Sequence, residues 1–195
     1  MRIVVKVGTS TLAHVTGRLN IQRMERLCKV LSDLKNAGHE IILVSSGAIG
    51  MGVGKLNLSG RPADMPGKQA AAAVGQCELM YFYDKLFTEY NHIVAQLLLT
   101  GEDIRSEQRS RNVRNTLSRL LELGALPVID AHILSLAGDK GSALATGGMV
   151  TKLHAAQIAT AAGCEMVIAN GEKPEVLYDI VAGRRAGTRF LIPHS

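Results

Sequence analysis

Glu40-Ile41-Ile42-Leu43-Val44-Ser45-Ser46-Gly47-Ala48-Ile49-Gly50-Met51-Gly52-Val53-Gly54-Lys55 is the stretch that decides the fold. Ile41 to Val44 is apolar without alternation, which predicts a strand over Glu40 to Val44 buried on both faces, as in a parallel sheet. Ser45-Ser46-Gly47 closes it. Small residues then open a helix whose unpaired amides can face an anion such as a carboxylate or phosphate. The plainer alternative, a glycine-rich turn kept small for tight packing, is equally consistent with the residues. Two nucleotide motifs fail here. A phosphate loop of the type G-x-x-x-x-G-K-[ST] needs glycine where Ile49 stands and Ser or Thr where Leu56 stands. The G-x-G-x-x-G dinucleotide pattern is also absent.

The same alternation repeats outward. Ile3 to Val7 predicts a buried strand followed by Gly8-Thr9-Ser10. Asn20 can cap a helix reaching about Ala37, with Met24, Leu27, Cys28, Leu31 and Leu34 on one face and Gly38 after its end. A polar loop runs to Gly67, and Lys68 to about Tyr90 predicts a long helix. Ile93–Leu99 and Ala125–Ile129 predict a third and a fourth strand around an Arg109–Leu123 helix stopped by Gly124. Thr151–Ala162 predicts a helix stopped by Gly163, and Met166–Ala169 a fifth strand. This order predicts an α/β fold, a three-layer sandwich with a mainly parallel central sheet and helices on both faces. Ligands of such sheets bind at the carboxyl ends of the strands. With no repeat and no linker, residues 1–195 are expected to form one domain.

Composition narrows the class. Of 195 residues, 47% are hydrophobic and 20% charged, a globular balance with too much apolar content for a disordered chain. Aromatics are 4% and tryptophan is absent, so the core must be aliphatic. Cys28, Cys77 and Cys164 are odd in number and far apart, which suggests buried reduced thiols in a cytoplasmic protein rather than a zinc site or disulfides. No apolar run approaches ~18 residues and no signal-peptide layout is present, so neither a membrane span nor export is expected. The net charge of +5 does not itself imply nucleic acid. The densest basic stretch, Arg105, Arg109, Arg111, Arg114 and Arg119, alternates with Glu102, Asp103 and Glu107 and lacks aromatics for base stacking. It suits a solvated helix face or a small-anion site better than RNA.

Two lysines stand at strand–helix junctions. Lys6 near the end of a buried strand is costly unless an anion meets it, and Gly8 beside it permits close approach. Snorkelling to solvent is the alternative. Thr146-Gly147-Gly148-Met149-Val150-Thr151-Lys152 opens the later helix. A cation in a first turn is locally unfavourable, which makes sense beside a phosphate, although an indifferent exposed lysine is also possible. Two such lysines suggest phosphoryl transfer, with Mg²⁺ neutralising the nucleotide phosphates.

Longer segments carry a resemblance. VVKVGTSTL at Val4–Leu12, AGHEIILVSSGAIGMG at Ala37–Gly52, KQAAAAVGQ at Lys68–Gln76, QLLLT at Gln96–Thr100, RNVRNTL at Arg111–Leu117, GALPVI at Gly124–Ile129 and KGSALATGGMVTKLHAAQIA at Lys140–Ala159 together resemble the amino acid kinase family over nearly the whole chain. The resemblance implies ATP-dependent phosphorylation of the side-chain carboxylate of L-glutamate to glutamyl 5-phosphate, on the route to proline. It implies that Lys6, Gly8, Thr9 and Ser10 surround the phosphates, and that Ser46 and Gly47 contact glutamate. Thr146, Gly147, Gly148, Met149, Val150, Thr151 and Lys152 would form the nucleotide loop. Catalysis falls to Lys6 and Lys152, with ATP and Mg²⁺. A homo-oligomer (dimer or tetramer) and proline feedback are implied too. Rival readings are another carboxylate kinase, such as one acting on acetylglutamate, and a catalytically inactive nucleotide-binding relative.

One departure is large. Where the family continues a strand like Ala125–Ile129 into Asn-Glu-Asn-Asp, this chain has Asp130-Ala131-His132-Ile133. A segment of several tens of residues is missing between about 129 and 132, and the acidic ligands implied by the family with it. Two ammonium groups about 6 Å apart repel by roughly 3 kcal/mol at an effective dielectric constant of about 20. A carboxylate between Lys6 and Lys152 is therefore expected, and Asp130 is the nearby candidate. The RNA-type domain that often follows in the family is expected to be absent after Gly187-Thr188-Arg189-Phe190.

Overall fold

The computed structural model describes residues 1–14, 18–130 and 148–192. They fall into two compact units, Met1–Ala137 and Gly138–Ser195.

The first unit is built on four parallel strands, β1 (Arg2–Val7), β2 (Glu40–Ser45), β3 (Val94–Leu98) and β4 (Leu126–Asp130), in the order β1-β2-β4-β3. Its helices are α1 (Thr9–Leu12), α2 (Ile21–Asn36), α3 (Ala48–Lys55), α4 (Met65–Thr88), α5 (Gly101–Arg105) and α6 (Glu107–Glu122). Side chains of a strand point alternately to the two faces. On one face Ile42, Leu97, Leu99 and Ile129 meet Val113, Leu117, Leu120 and Leu121 of α6. On the other, the Ser45 hydroxyl bonds Tyr83 of α4, which places Ile41, Leu43 and Ser45 on that helix's side. Helix α2 packs against β2 and α4 with Met24, Leu27, Leu31 and Leu34 buried. Helices thus cover both faces, and the expected parallel α/β sandwich is the fold found.

β2 and β4, interior in the sheet order, are buried almost throughout, as continuous apolar runs require. β1 is different. It is an edge strand of this sheet, and its exposure alternates: Val5 and Val7 are buried whereas Val4 is 59% exposed. The expectation of a fully buried first strand is corrected, because an apolar run reads the same at an edge as in the middle.

Helix α2 is capped by the Asn20 side chain on the Arg23 amide, as expected. Helix α4 starts at Met65, ahead of the expected Lys68. Asp64 caps the Gly67 amide at 2.7 Å, and Pro66 fits a first turn whose amides lack partners in any case. Its buried residues Ala71, Gly75, Leu79, Tyr83 and Phe87 recur every fourth position, one stripe along one face. Cys77 lies off that stripe and is exposed, as is Cys164; Cys28 is the buried thiol. Burial of all three is therefore corrected. Helix α6 begins at Glu107 rather than Arg109, with Ser106 capping the Arg109 amide.

The second unit contains α7 (Met149–Ala161), β5 (Met166–Ile168), α8 (Val176–Val181) and β6 (Thr188–Phe190). Among the described residues β5 does not extend a parallel sheet. It pairs antiparallel with β6, with Val167 opposite Arg189. β6 and α8, like α1 and α5, were not expected from the sequence, because each is too short to show a period.

Candidate active site

Because all four strands of the first unit run parallel, their carboxyl ends lie along one edge. Val7 pairs with Ser45, and Ser45 with Asp130, so three strand ends form a row. Ser46 ties the row together. Its amide and its hydroxyl both donate to the Val7 carbonyl, at 3.2 and 3.0 Å. The turn after β2 is thereby fastened to the end of β1.

Gly47 follows with φ +156° and ψ −9°, a combination that strains any side chain. It is buried and serves as the N-cap of α3, so the first amides of that helix open at this turn. The Gly8-Thr9 segment approaches it. A Cβ added to Gly50 would lie 3.4 Å from the Thr9 methyl. Lys6 is exposed, and its Nζ lies 3.8 Å from where a Gly8 Cβ would begin. The structure therefore brings together Lys6, Gly8, Thr9, Ser46 and Gly47. Ser10 is placed in α1.

Helix α4 supports this edge from behind. A Cβ on Gly52 would overlap the Ala71 carbonyl, and one on Gly75 would overlap the Ala48 carbonyl. Only glycine permits so close a crossing of α3 and α4. Two turns further on, Tyr83 is fully buried and its hydroxyl meets the Ser45 hydroxyl at 2.8 Å. Burial pushes the Tyr83 phenol well above its ordinary range, the Ser45 bond opposes this, and the Asp130 charge adds to the rise. Asp130 is 2% exposed and lies opposite Ser45 on the neighbouring strand. Ser45 and Tyr83 escaped the sequence reading. The signal that could have found them is a tyrosine on the apolar stripe of a helix, since a buried phenol needs a partner.

At the far side of the edge, Thr100 caps α5 in a reciprocal box with Asp103. The Thr100 side chain and amide hold the Asp103 carboxyl below the usual carboxylate range, with Arg109 assisting. Asp103 and Arg109, 3.5 Å apart, line a cavity of about 240 Å³ with Leu97, Asn112 and Thr116. Arg111 and Arg119 of α6 are solvated and locally paired, with Glu107 and Glu122. Such exposed pairs contribute little to stability.

Of the expected nucleotide loop, Thr146 and Gly147 lie outside the described residues, as does the step from Ala131 to His132. Gly148 is the N-cap of α7 and makes no side-chain cap. Met149, Val150 and Lys152 are exposed in its first turn, and Thr151 is half-buried. Lys6 belongs to the first unit and Lys152 to the second. Among the described residues no three His, Cys, Asp or Glu side chains gather as a metal site, and no helix is long and apolar enough to cross a membrane.

Two solved structures of isopentenyl phosphate kinase, one of them the product complex from T. acidophilum, share the fold. Each gives a TM-score of 0.63, at 14% and 15% identity, over 97% of this chain and 99% of that one. Residues 1–138 match the profile of the Amino acid kinase family. The chain belongs to that family. Its relatives there include the glutamate 5-kinase of Clostridium perfringens, 41% identical over 97% of this chain and 95% of the relative. The glutamate 5-kinase of Caldanaerobacter subterraneus is 40% identical over 98% of this chain and 68% of its own length. The alignment with the C. perfringens protein runs over 255 residues, more than the 195 of this chain, so it includes residues of the relative with no counterpart here.

Proposed function

We propose that this chain is an ATP-dependent phosphotransferase that phosphorylates the side-chain carboxylate of L-glutamate, the first step towards proline. The observation that carries the reading is the 41% identity to a glutamate 5-kinase over nearly the whole chain. The joined turns after β1 and β2, each small and rich in donors, supply a place for the chemistry.

A carboxylate oxygen attacks the γ-phosphorus, and the bond to the ADP oxygen breaks. The nucleophile is already ionised at neutral pH, so no base has to remove a proton. The difficulty is that an anion attacks an anion. Cations aimed at the transferring group are therefore the main protein contribution. Lys6 takes that role from β1, with Gly8, Thr9 and Ser10 around the phosphates. Lys152 takes it from α7, with Thr146, Gly147, Gly148, Met149, Val150 and Thr151 as the nucleotide loop. Ser46 uses its amide and hydroxyl protons on Val7 and so contacts glutamate only as an acceptor, while Gly47 and the first amides of α3 receive the carboxylate. Mg²⁺ arrives with ATP as part of the substrate and screens its phosphates. In this reading the relative's unmatched residues fall after Ile129, where the resemblance puts the family's acidic ligands. Residues 1–195 act as one amino acid kinase domain in the cytoplasm, as a homo-oligomer subject to proline inhibition; light scattering and proline titration test the last two.

A coupled ADP-release assay with glutamate, acetylglutamate and aspartate tests the substrate. Turnover with glutamate alone is expected. Lys6→Ala and Lys152→Ala are each expected to lower kcat by about 100-fold or more with Tm unchanged. Wild-type turnover in either variant removes that lysine from the mechanism. The second reading, a nucleotide-binding relative without turnover, draws on the relatives' unmatched residues. ATP binding by calorimetry without glutamate phosphorylation would establish it.

A further inference from the structure

The turn that receives the substrate carboxylate in the reading above is held at both flanks by a single helix. Ahead of the turn, Ser45 is bonded to Tyr83. Behind it, Ala48 and Gly52 are pressed against Gly75 and Ala71. Ala71, Gly75 and Tyr83 lie on the same fourth-residue stripe of α4. Between these two fastenings only Ser46 and Gly47 remain, and Ser46 is pinned to Val7. A rigid helix that grips both sides of a two-residue turn fixes where its hydroxyl and amides point.

We propose that Tyr83, acting through Ser45, is a positioning residue for the acceptor carboxylate; this rests on the glutamate kinase reading. Tyr83 touches neither substrate nor nucleotide. Its ring is held by Phe87, with centroids 6.2 Å apart and near-parallel planes, so the hydroxyl has a fixed reach. Ser45 shares its strand-end row with Asp130 on one side and Val7 on the other. Loss of the phenol hydroxyl leaves Ser45 without its partner in a fully buried place and frees it to turn toward Asp130. The Ser46 amide and hydroxyl, next in the chain, then lose their alignment on Val7. A displacement of this size outside the reacting atoms weakens substrate placement while the cations of the phosphoryl site stay where they are.

The test compares Tyr83→Phe, which keeps the ring and drops the hydroxyl, with Ser45→Ala, which removes the same bond from its other end. Hydrogen exchange at the Ser46 amide should quicken about 10-fold in both variants while exchange within α2 stays unchanged. KM for glutamate should rise about 10-fold with KM for ATP and kcat within about twofold. The double variant should be no worse than either single one, since all three lack one and the same bond. Unchanged exchange at Ser46 overturns the proposal, as does faster exchange with an unaltered KM for glutamate, or an additive double variant. Absence of glutamate turnover in the wild-type chain sinks the kinase reading instead, and the exchange result alone then decides whether Tyr83 holds the turn.

Discussion

The two segments proposed above to receive glutamate and the nucleotide, the turn after β2 and the start of α7, are built in opposite ways. The β2 turn is gripped by α4, tied to β1 and buried at Gly47. Met149 and Val150 at the start of α7 are 62% and 77% exposed, and Ala156 is the buried residue of the helix. Helix α4 converts an apolar stripe into contacts; α7 carries Leu153 and Ile158 at 44% and 60% exposure. Motif and packing are therefore separate things. The described part of the TGGMVTK run, Gly148–Lys152, is recognisable while largely exposed, whereas the SSGAIG run is recognisable and also has a core behind it. Preorganisation against a ligand resides in the second kind of segment.

Truncation tests that contrast most strongly. Leu79 is 1% exposed on the α4 stripe. Leu79→Ala should cost about 2–5 kcal/mol in urea unfolding, the transfer loss plus a cavity. Leu153→Ala in α7 should stay within about 0.5 kcal/mol, as surface changes do. Equal costs at the two sites would break the comparison, because α7 would then be as well packed as α4.

Overpacking comes next. Gly75→Ala places a methyl into the Ala48 carbonyl, backbone against backbone, so neither helix can yield by turning a side chain. A loss of about 1–3 kcal/mol is expected, together with a raised KM for glutamate as α3 is pushed off its seat. Gly163→Ala at the end of α7 meets nothing within 4 Å and suffers only from its φ of +75°. It should lower stability by about 1 kcal/mol or so without moving either KM. Two glycine variants with indistinguishable KM values would show that the α3–α4 crossing is architectural and nothing more.

These residues also mark what was legible beforehand. Strand–helix alternation announced the parallel sheet, because interior strands such as Leu126–Asp130 need unbroken apolar runs and helices such as α2 need a stripe. The edge position of β1 was not legible, since Ile3-Val4-Val5 looks alike on either side of a sheet. Ser46 and Gly47 were legible as a candidate site through local chemistry. Tyr83 was not, since its bond to Ser45 spans 38 residues and Tyr83 itself stands in no motif. The α3–α4 crossing was hidden for the same reason: Gly52 and Gly75 carry meaning only once the two helices touch. Local signals reach as far as a turn, and the pairing of turns belongs to the tertiary fold.

The smallest effect lies at the opposite end of the same strand edge, at the Thr100–Asp103 box. Hydrogen bonds from Thr100, helped by Arg109, lower the Asp103 carboxyl in the folded chain. A depressed folded value contributes stability that is complete above the ordinary aspartate range, about 3.9, and is lost as pH falls through the lower folded value. Asp103→Asn should therefore lower Tm slightly at pH 7, and the gap to wild type should close as the pH falls below the ordinary aspartate range and through the lowered Asp103 value. Thr100→Ala should lose about 1 kcal/mol at neutral pH, since it removes the cap itself. Because the box is a local device at the start of α5, neither change should touch exchange at Ser46. An altered Ser46 amide in Asp103→Asn would mean that the strand edge responds as one body, and the special hold of α4 on the β2 turn would no longer be needed to explain its order.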